Sequence, residues 1–341
     1  FTHTKAYEMM SCFEGLLEYY KVTGEKKYLA AVENFVDMVV KTDYTIIGCS
    51  GCTHELFDNS SVKQTNYSEG VMQETCVTVT LMKLCARLLV ITGDSKYADV
   101  IERSGYNALF GAVNSENQTM KRSQGIVWEG KTAVPVAHDA FPLASDSPLW
   151  LGQRARKIGG FRVMENGRSY GCCAAIGGAG TALFGLVAVT KGENGYFINL
   201  YNDGVYSDKS SGVKISVKAN LYKKGEAKIT VKAAGETTLY LRIPKWARDF
   251  AVFVNGDKVV FDSVKGYALV KVRDCDKVTV SMPMKVERKI LNGKAEYERG
   301  PIVLARDERF GEDLGLPVAV PKKAGGAVAK LVKNTDFSTN E

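Results

Sequence analysis

Two places in this 341-residue chain carry the side chains that hold zinc: Glu74-Thr75-Cys76, and the vicinal pair Cys172-Cys173 within Tyr170-Gly171-Cys172-Cys173-Ala174-Ala175. Three thiolates and one carboxylate complete a tetrahedral zinc site. Adjacent cysteines rarely pack as two buried hydrophobes, because neighbouring side chains point apart and each needs its own apolar niche, so chemistry explains the pair better. Residues at i and i+2 do not share a helix face. Glu74 and Cys76 therefore chelate one ion only if Glu74 stands in an extended entry or in the first turn. The cysteine pair requires a loop ahead of a helix beginning near Ala174, which Gly171 makes easy. Helix N-termini carry partial positive charge and stabilise thiolates. The same spacing also fits a structural zinc site, or buried cysteines that stand near helix starts.

The elements that must position these residues announce themselves through a repeat. Val22-Thr-Gly-Glu-Lys-Lys-Tyr28 recurs as Ile91-Thr-Gly-Asp-Ser-Lys-Tyr97. Each copy joins two amphipathic helices: Met10, Phe13, Leu17 and Tyr20 precede the first, with Leu29, Val32, Phe35, Val36 and Val39 after it. Val77, Leu81, Leu84, Cys85 and Leu88 precede the second, followed by Tyr97, Val100, Ile101 and Ala108. In both copies a glycine stops one helix and an acidic residue opens the next. Repeated helical hairpins build α/α toroids or solenoids, in which alternate helices point the same way. His3, Cys76 and Cys172-Cys173 then come to one face, each near the start of such a helix.

From about Gly195 the period changes to two, with Val213, Ile215 and Val217, Ile229 and Val231, and Leu239, Leu241 and Ile243 alternating with polar residues. Asn255-Gly256 is a type I′ hairpin signal. Short strands so spaced read as a β-sandwich. The expected organisation is α+β and multidomain: residues 1–192 a helical domain, which the resemblance given below implies is a partial catalytic barrel, 193–305 an antiparallel β-sandwich, and 306–341 either the start of a further β domain or a loose tail.

Forty-five basic against 38 acidic residues give a net charge of +7, spread without the Lys/Arg blocks that track phosphates, so nucleic acid is not a partner. No apolar run approaches the roughly 20 residues needed to cross a bilayer, Thr181–Val189 being the most apolar stretch, so no membrane is expected. Beginning at Phe1, the chain reads as the later portion of a longer protein; a bacterial cytoplasmic location is expected, with a signal peptide ahead of Phe1 left open. A core of this size does not need disulfides, and the eight cysteines are expected as thiols. Cys49-Ser-Gly-Cys52 resembles a redox or zinc-knuckle pair without a second pair to complete it.

Thr2–Ser11, with His3 in it, Gln73-Glu-Thr-Cys76, Ala98–Asn107 and Tyr170–Ala175 together resemble glycoside hydrolase family 127, the β-L-arabinofuranosidase family, as do Leu241–Trp246, Val254-Asn-Gly256 and Gly300-Pro301. The resemblance implies the C-terminal half of an (α/α)6 toroid followed by the β-sandwich, the N-terminal half of the barrel lying outside the chain. It implies Zn2+ held by Glu74, Cys76, Cys172 and Cys173, Cys172 as nucleophile, and Glu55 as acid/base, with Asp58 or Glu69 as alternatives in the same loop. It also implies sugar contacts from His3 and Glu102. Glu102 taken alone, mid-helix, reads as a solvated face residue. The substrate would be a plant-type arabinose-containing oligosaccharide or glycoside, with room for a homodimer. Ala174-Ala175-Ile176 replaces a proline-containing continuation, which leaves a related sugar open. A non-catalytic carbohydrate-binding or structural zinc protein, and a thiol redox protein using Cys172-Cys173, are the readings from other classes.

Overall fold

A computed structural model of the chain describes residues 4–52, 55–65, 74–112 and 172–305, together with the backbone of short strands between 126 and 170 and near 322–327. The helical part holds two hairpins. Helix α1 (Ala6–Thr23) turns at Gly24 into α2 (Lys26–Thr42), and α3 (Thr75–Thr92) turns at Gly93 into α4 (Lys96–Arg103), which runs on through a π-helical segment, Ser104–Leu109, to Phe110–Ala112. Both glycines stand in the left-handed region (φ 71° and 62°) and their N–H groups close on Tyr20 O and Leu89 O, so the repeat marks two equivalent stops. The helical period holds: Met10, Leu17, Val32, Phe35, Val36 and Val39 enter one core with Val77, Leu81, Leu84, Leu88, Tyr97 and Ile101.

Helix α3 is the centre of that core. By length and composition it could cross a membrane, which corrects the expectation that no such run exists, but it is mostly buried inside the protein. Its direction relative to α1 is fixed by two ion pairs: Lys83 Nζ reaches Glu14 Oε2 at 3.2 Å, and Arg87 pairs with Glu18, both at a separation of 69 residues. Val22 recurs as Ile91 at the same offset. Residues related by the repeat thus stand side by side, α1 and α3 are parallel, and Lys5-Ala6 is level with Glu74-Thr75.

A fifth helix, α5 (Cys172–Val187), packs against α3 through small residues, as its Ala/Gly composition predicts. A methyl group on Gly180 would stand 2.6 Å from Val79 Cγ2 and 3.0 Å from Leu109, and the Phe184 ring lies over Gly105. Moving from 180 to 184 therefore descends the return helix from 109 to 105, which makes α5 parallel to α3. The helix begins at Cys172 and not near Ala174. The strand Ser169–Tyr170, paired with Arg162–Val163, runs up to it with only Gly171 between, so the cysteines fall in the first turn and not in a preceding loop.

Two sheets share a second core. One has six strands in the order Asp257–Val259, Ala251–Val254, Lys277–Ser281, Glu226–Lys232, Val213–Asn220 and Gly204–Asp208. The other has five: Asp262–Val264, Tyr267–Val272, Thr237–Arg242, Gly195–Ile198 and Val189–Gly192. Val213, Ile215 and Val217 alternate inward as the period of two requires. Asn255 and Gly256 (φ 53° and 101°) form the two-residue hairpin. One pair, Thr237–Arg242 with Gly195–Ile198, is parallel. The chain between them passes through the opposite sheet and can re-enter in the same direction, so the expectation of a wholly antiparallel region does not hold. The five-stranded sheet already begins at Val189, ahead of residue 193. A smaller sheet, Val286–Leu291, Lys294–Arg299 and Ile302–Val303, follows. Most of segment 306–341 lies outside the described residues.

Candidate active site

Because α1, α3 and α5 run parallel, their N-termini share one end of the helical part. Gly180 is level with Val79, and eight residues earlier on α5, about 12 Å at 1.5 Å per residue, the chain reaches Cys172-Cys173. On α3, Glu74 lies only five residues before Val79, about 7.5 Å at the same rise, so both segments reach the same end of the helices. The backbone therefore brings the two candidate ligand segments to one end, as the repeat predicts.

Glu74 stands immediately before α3 in extended conformation (φ −67°, ψ 142°), and Cys76 is in the first turn. This is the arrangement that lets residues i and i+2 address one ion. Both are buried, at 6% exposure. The Glu74 carbonyl accepts from Thr78 N and Thr78 Oγ1, each at 3.1 Å, and from Cys49 Sγ at 3.6 Å. Between the two donors, Thr75 Oγ1 is buried with no hydrogen-bond partner. One carboxylate with three thiols is chemically a zinc set, and the backbone at Glu74 and Cys76 meets the condition that the i, i+2 spacing sets. Among the described residues no group of three His, Cys, Asp or Glu could hold a metal; the side chains of Cys172 and Cys173, which would complete the set, are outside them.

Glu55 lies at the same end. Thr4–Lys5 pairs antiparallel with Leu56–Phe57, and Ala6 N donates to Glu55 O at 2.8 Å, so the loop is clamped to the start of α1. Glu55 itself is in the left-handed region (φ 63°), uncommon for a residue with a side chain. Its Oε2 meets Lys5 Nζ at 2.5 Å, and this hydrogen bond raises the Lys5 pKa. Asp58 is more buried, at 5%. Lys63 Nζ donates to its Oδ2 at 2.9 Å, while Oδ1 is buried without a partner. His3 and Glu69, like His54 and His138, lie outside the described residues.

Cys49 and Cys52 are buried thiols outside any disulfide. Cys49 Sγ points at carbonyls of Ser50 (3.3 Å) and Glu74 (3.6 Å), and Cys52 Sγ at Ser60 O (3.7 Å). Burial pushes the Cys49 pKa well up, which makes it inert to exchange and unlike a redox cysteine.

Glu102 is buried, at 2% exposure, and not on a solvated face. Both carboxylate oxygens are engaged: Oε1 accepts from Arg242 Nη2, and Oε2 from Trp246 Nε1 at 2.8 Å. Arg242, fully buried, also donates from Nη1 to Asp99 Oδ1 at 2.7 Å and from Nε to Asn199 O. Burial opposes its charge, but Glu102 and Asp99 outweigh that and raise its pKa. Asn107 Nδ2 donates to Pro301 O and its Oδ1 accepts from Val303 N, both at 2.8 Å, while Arg103 pairs with Glu298. Ala98–Asn107, Leu241–Trp246 and Gly300-Pro301, three motifs separated in sequence, are thus sides of a single junction between helices and sheets. Nothing in the periodicity predicts this. The available signal is a charged Arg inside an alternating apolar strand, Leu239-Tyr-Leu-Arg-Ile, where a buried position needs an acidic partner.

The fold joins tandem helical hairpins, with Glu74, Cys76 and the start of the Cys172–Val187 helix at one end, to a two-sheet β region. Family comparison makes this architecture specific. Residues 2–131 match the model of the β-L-arabinofuranosidase GH127 catalytic domain, and residues 195–284 match that of the GH127 middle domain. The chain belongs to glycoside hydrolase family 127. Cys172-Cys173 falls between the two matched regions. Among solved structures, Ara127N-Se, a GH127 β-L-arabinofuranosidase from Geobacillus stearothermophilus T6, is similar at 24% identity and TM-score 0.65, over 89% of this chain and 47% of that one. The GH127 β-arabinofuranosidase BT3674 is similar at 21% identity and TM-score 0.63, over 89% and 47%. A protein described as a glycoside hydrolase follows at 20% and 0.63, over 88% and 51%. The chain thus spans about half the length of these structures. No curated protein matches it at a significant level.

Proposed function

We propose that this chain is the thiol-bearing part of a zinc-dependent retaining glycoside hydrolase that acts on β-L-arabinofuranosides or a related sugar, such as those of plant-type oligosaccharides. The observation that carries the reading is the convergence of the Glu74–Cys76 turn and the Cys172-Cys173 turn at one end of three parallel helices, in a member of family 127. In this reading the hairpins are the C-terminal half of an (α/α)6 toroid within 1–192, and the two sheets are a β-sandwich within 193–305. Glu74, Cys76, Cys172 and Cys173 would hold Zn2+, which when bound supplies a deprotonated thiol at neutral pH.

The chain's own residues then divide the work. Cys172 Sγ attacks the anomeric carbon as the C–O bond breaks and the leaving oxygen takes a proton from Glu55. Glu55, now a carboxylate, takes a proton from water, and the water oxygen displaces Sγ. Two inversions give net retention. Each carboxylate is paired with a lysine, Glu55 with Lys5 and Asp58 with Lys63, so Asp58 is the acid/base to test beside Glu55. His3 is the proposed sugar contact. Glu102 is the weaker one, since both its oxygens already serve Arg242 and Trp246. The alternative is a non-catalytic carbohydrate-binding or structural zinc protein.

The deciding experiment is hydrolysis of a chromogenic β-L-arabinofuranoside by the full-length parent and its Cys172→Ser variant. Turnover in the parent, absent from a variant of unchanged fold, is the expected result. Equal turnover in both sinks the thiol mechanism, and a zinc-loaded parent that binds the sugar without cleaving it establishes the alternative.

A further inference from the structure

We propose that Cys49 is a positioning residue for the metal-binding turn: its thiol tethers the Glu74 carbonyl and holds Glu74 in the extended entry to α3. The inference rests on the reading of Glu74 as a ligand and adds a residue outside the four-donor set.

The geometry is local and closed. The Cys49 thiol is fully buried, its one hydrogen shared between Ser50 O at 3.3 Å and Glu74 O at 3.6 Å. The same oxygen accepts from Thr78 N and Thr78 Oγ1 at 3.1 Å. The direction of a carbonyl sets ψ of its own residue, so three donors converging on Glu74 O fix the backbone from which the carboxylate projects. Two of them belong to the helix that Glu74 opens. Cys49 is the one that comes from another segment, 25 residues away, and so ties the turn to the rest of the fold.

The segment presenting Cys49 is itself rigid. Thr45 N donates to Cys49 O at 2.7 Å, and Cys49 N donates to Thr45 Oγ1 at 3.1 Å. Gly48 and Gly51 take left-handed conformations (φ 88° and 65°), and a methyl group on either would stand 2.6 Å from Ser104 Cα or 2.7 Å from Ala6 Cβ. The loop is thus wedged between the start of α1 and the π-helical segment. A thiol is a weak donor, but here it acts where water is excluded, and groups that orient metal ligands typically change affinity about 10–100-fold when lost.

The test compares Cys49→Ser, which keeps a donor, with Cys49→Val and Cys49→Ala, which fill or vacate the space without one. Zinc affinity is measured by chelator competition, and hydrogen exchange of the Thr78 amide is measured in metal-free protein. The expected result is a loss of zinc affinity of about tenfold or more in Val and Ala, with Ser near wild type, and faster Thr78 exchange in the same two variants. If wild type binds zinc and all three variants match it, the proposal is overturned. A wild type that binds no zinc defeats the metal reading alone. Exchange then decides the tether: faster in Val and Ala with rescue by Ser supports it, and unchanged protection overturns it. Should Val fail to fold, Ala against Ser decides alone.

Discussion

At the scale of single residues, the ligand turn makes the firmest commitments. Cys76→Ser should lower both zinc content and melting temperature, because losing a ligand removes binding energy coupled to folding; full occupancy in the variant would exclude Cys76 from the site. Glu55 and Asp58 are separable by leaving group. Whichever is the acid should, as the amide, slow glycosides of poor leaving groups far more than activated aryl glycosides, since only the former need a proton to depart. Equal losses on both substrates would assign binding instead. The adjacent thiols divide similarly: a haloacetamide of β-L-arabinofuranosylamine should label Cys172, located by peptide mass spectrometry, and labelling confined to Cys173 would reverse their roles. The extended entry of Glu74 ahead of α3 is legible in the sequence because the rule that i and i+2 do not share a helix face is local. Cys49 is not, because its meaning depends on a carbonyl brought near only by the fold. Glu102 misleads for the same reason: a glutamate in the middle of a helix looks solvated until Arg242 is placed against it.

At the scale of elements, the repeat is the most informative feature, since its 69-residue offset is also the offset of the Glu14–Lys83 pair. Sequence periodicity therefore predicts that α1 and α3 lie in register and parallel. The start of α5 is less legible: the residue before Cys172 is a glycine and not a Ser, Thr, Asp or Asn, and the strand that delivers the chain is only Ser169–Tyr170. The small residues of α5 make a discriminating prediction. Gly180→Val should destabilise by about 1–3 kcal/mol through overpacking against Val79, with the contact at 2.6 Å. Gly178→Ala, with nothing within 4 Å, should be neutral or stabilising by up to about 1 kcal/mol from helix propensity. Thermal melts of both variants check this, and equal effects would mean that α5 does not pack on α3 through Gly180.

At the scale of the whole molecule, the question is whether the helices and sheets are independent units or one cooperative body. Composition and period separate them clearly near residue 190, but the contacts cross that line: Val303 packs with the helical core, Lys265 Nζ donates to Thr92 O at 2.6 Å, and Arg242 is buried among helix carboxylates. A buried ion pair adds little compared with an apolar pair of the same shape, yet breaking one strands the other charge. Arg242→Met should therefore destabilise by about 3–5 kcal/mol. The double variant Arg242→Met with Glu102→Gln should recover part of that loss, because the amide no longer strands a charge. A single calorimetric transition should also broaden or split in Arg242→Met as the junction weakens and the two cores melt separately. If the single variant melts like wild type, with one transition, the junction is incidental and the two regions are held together elsewhere.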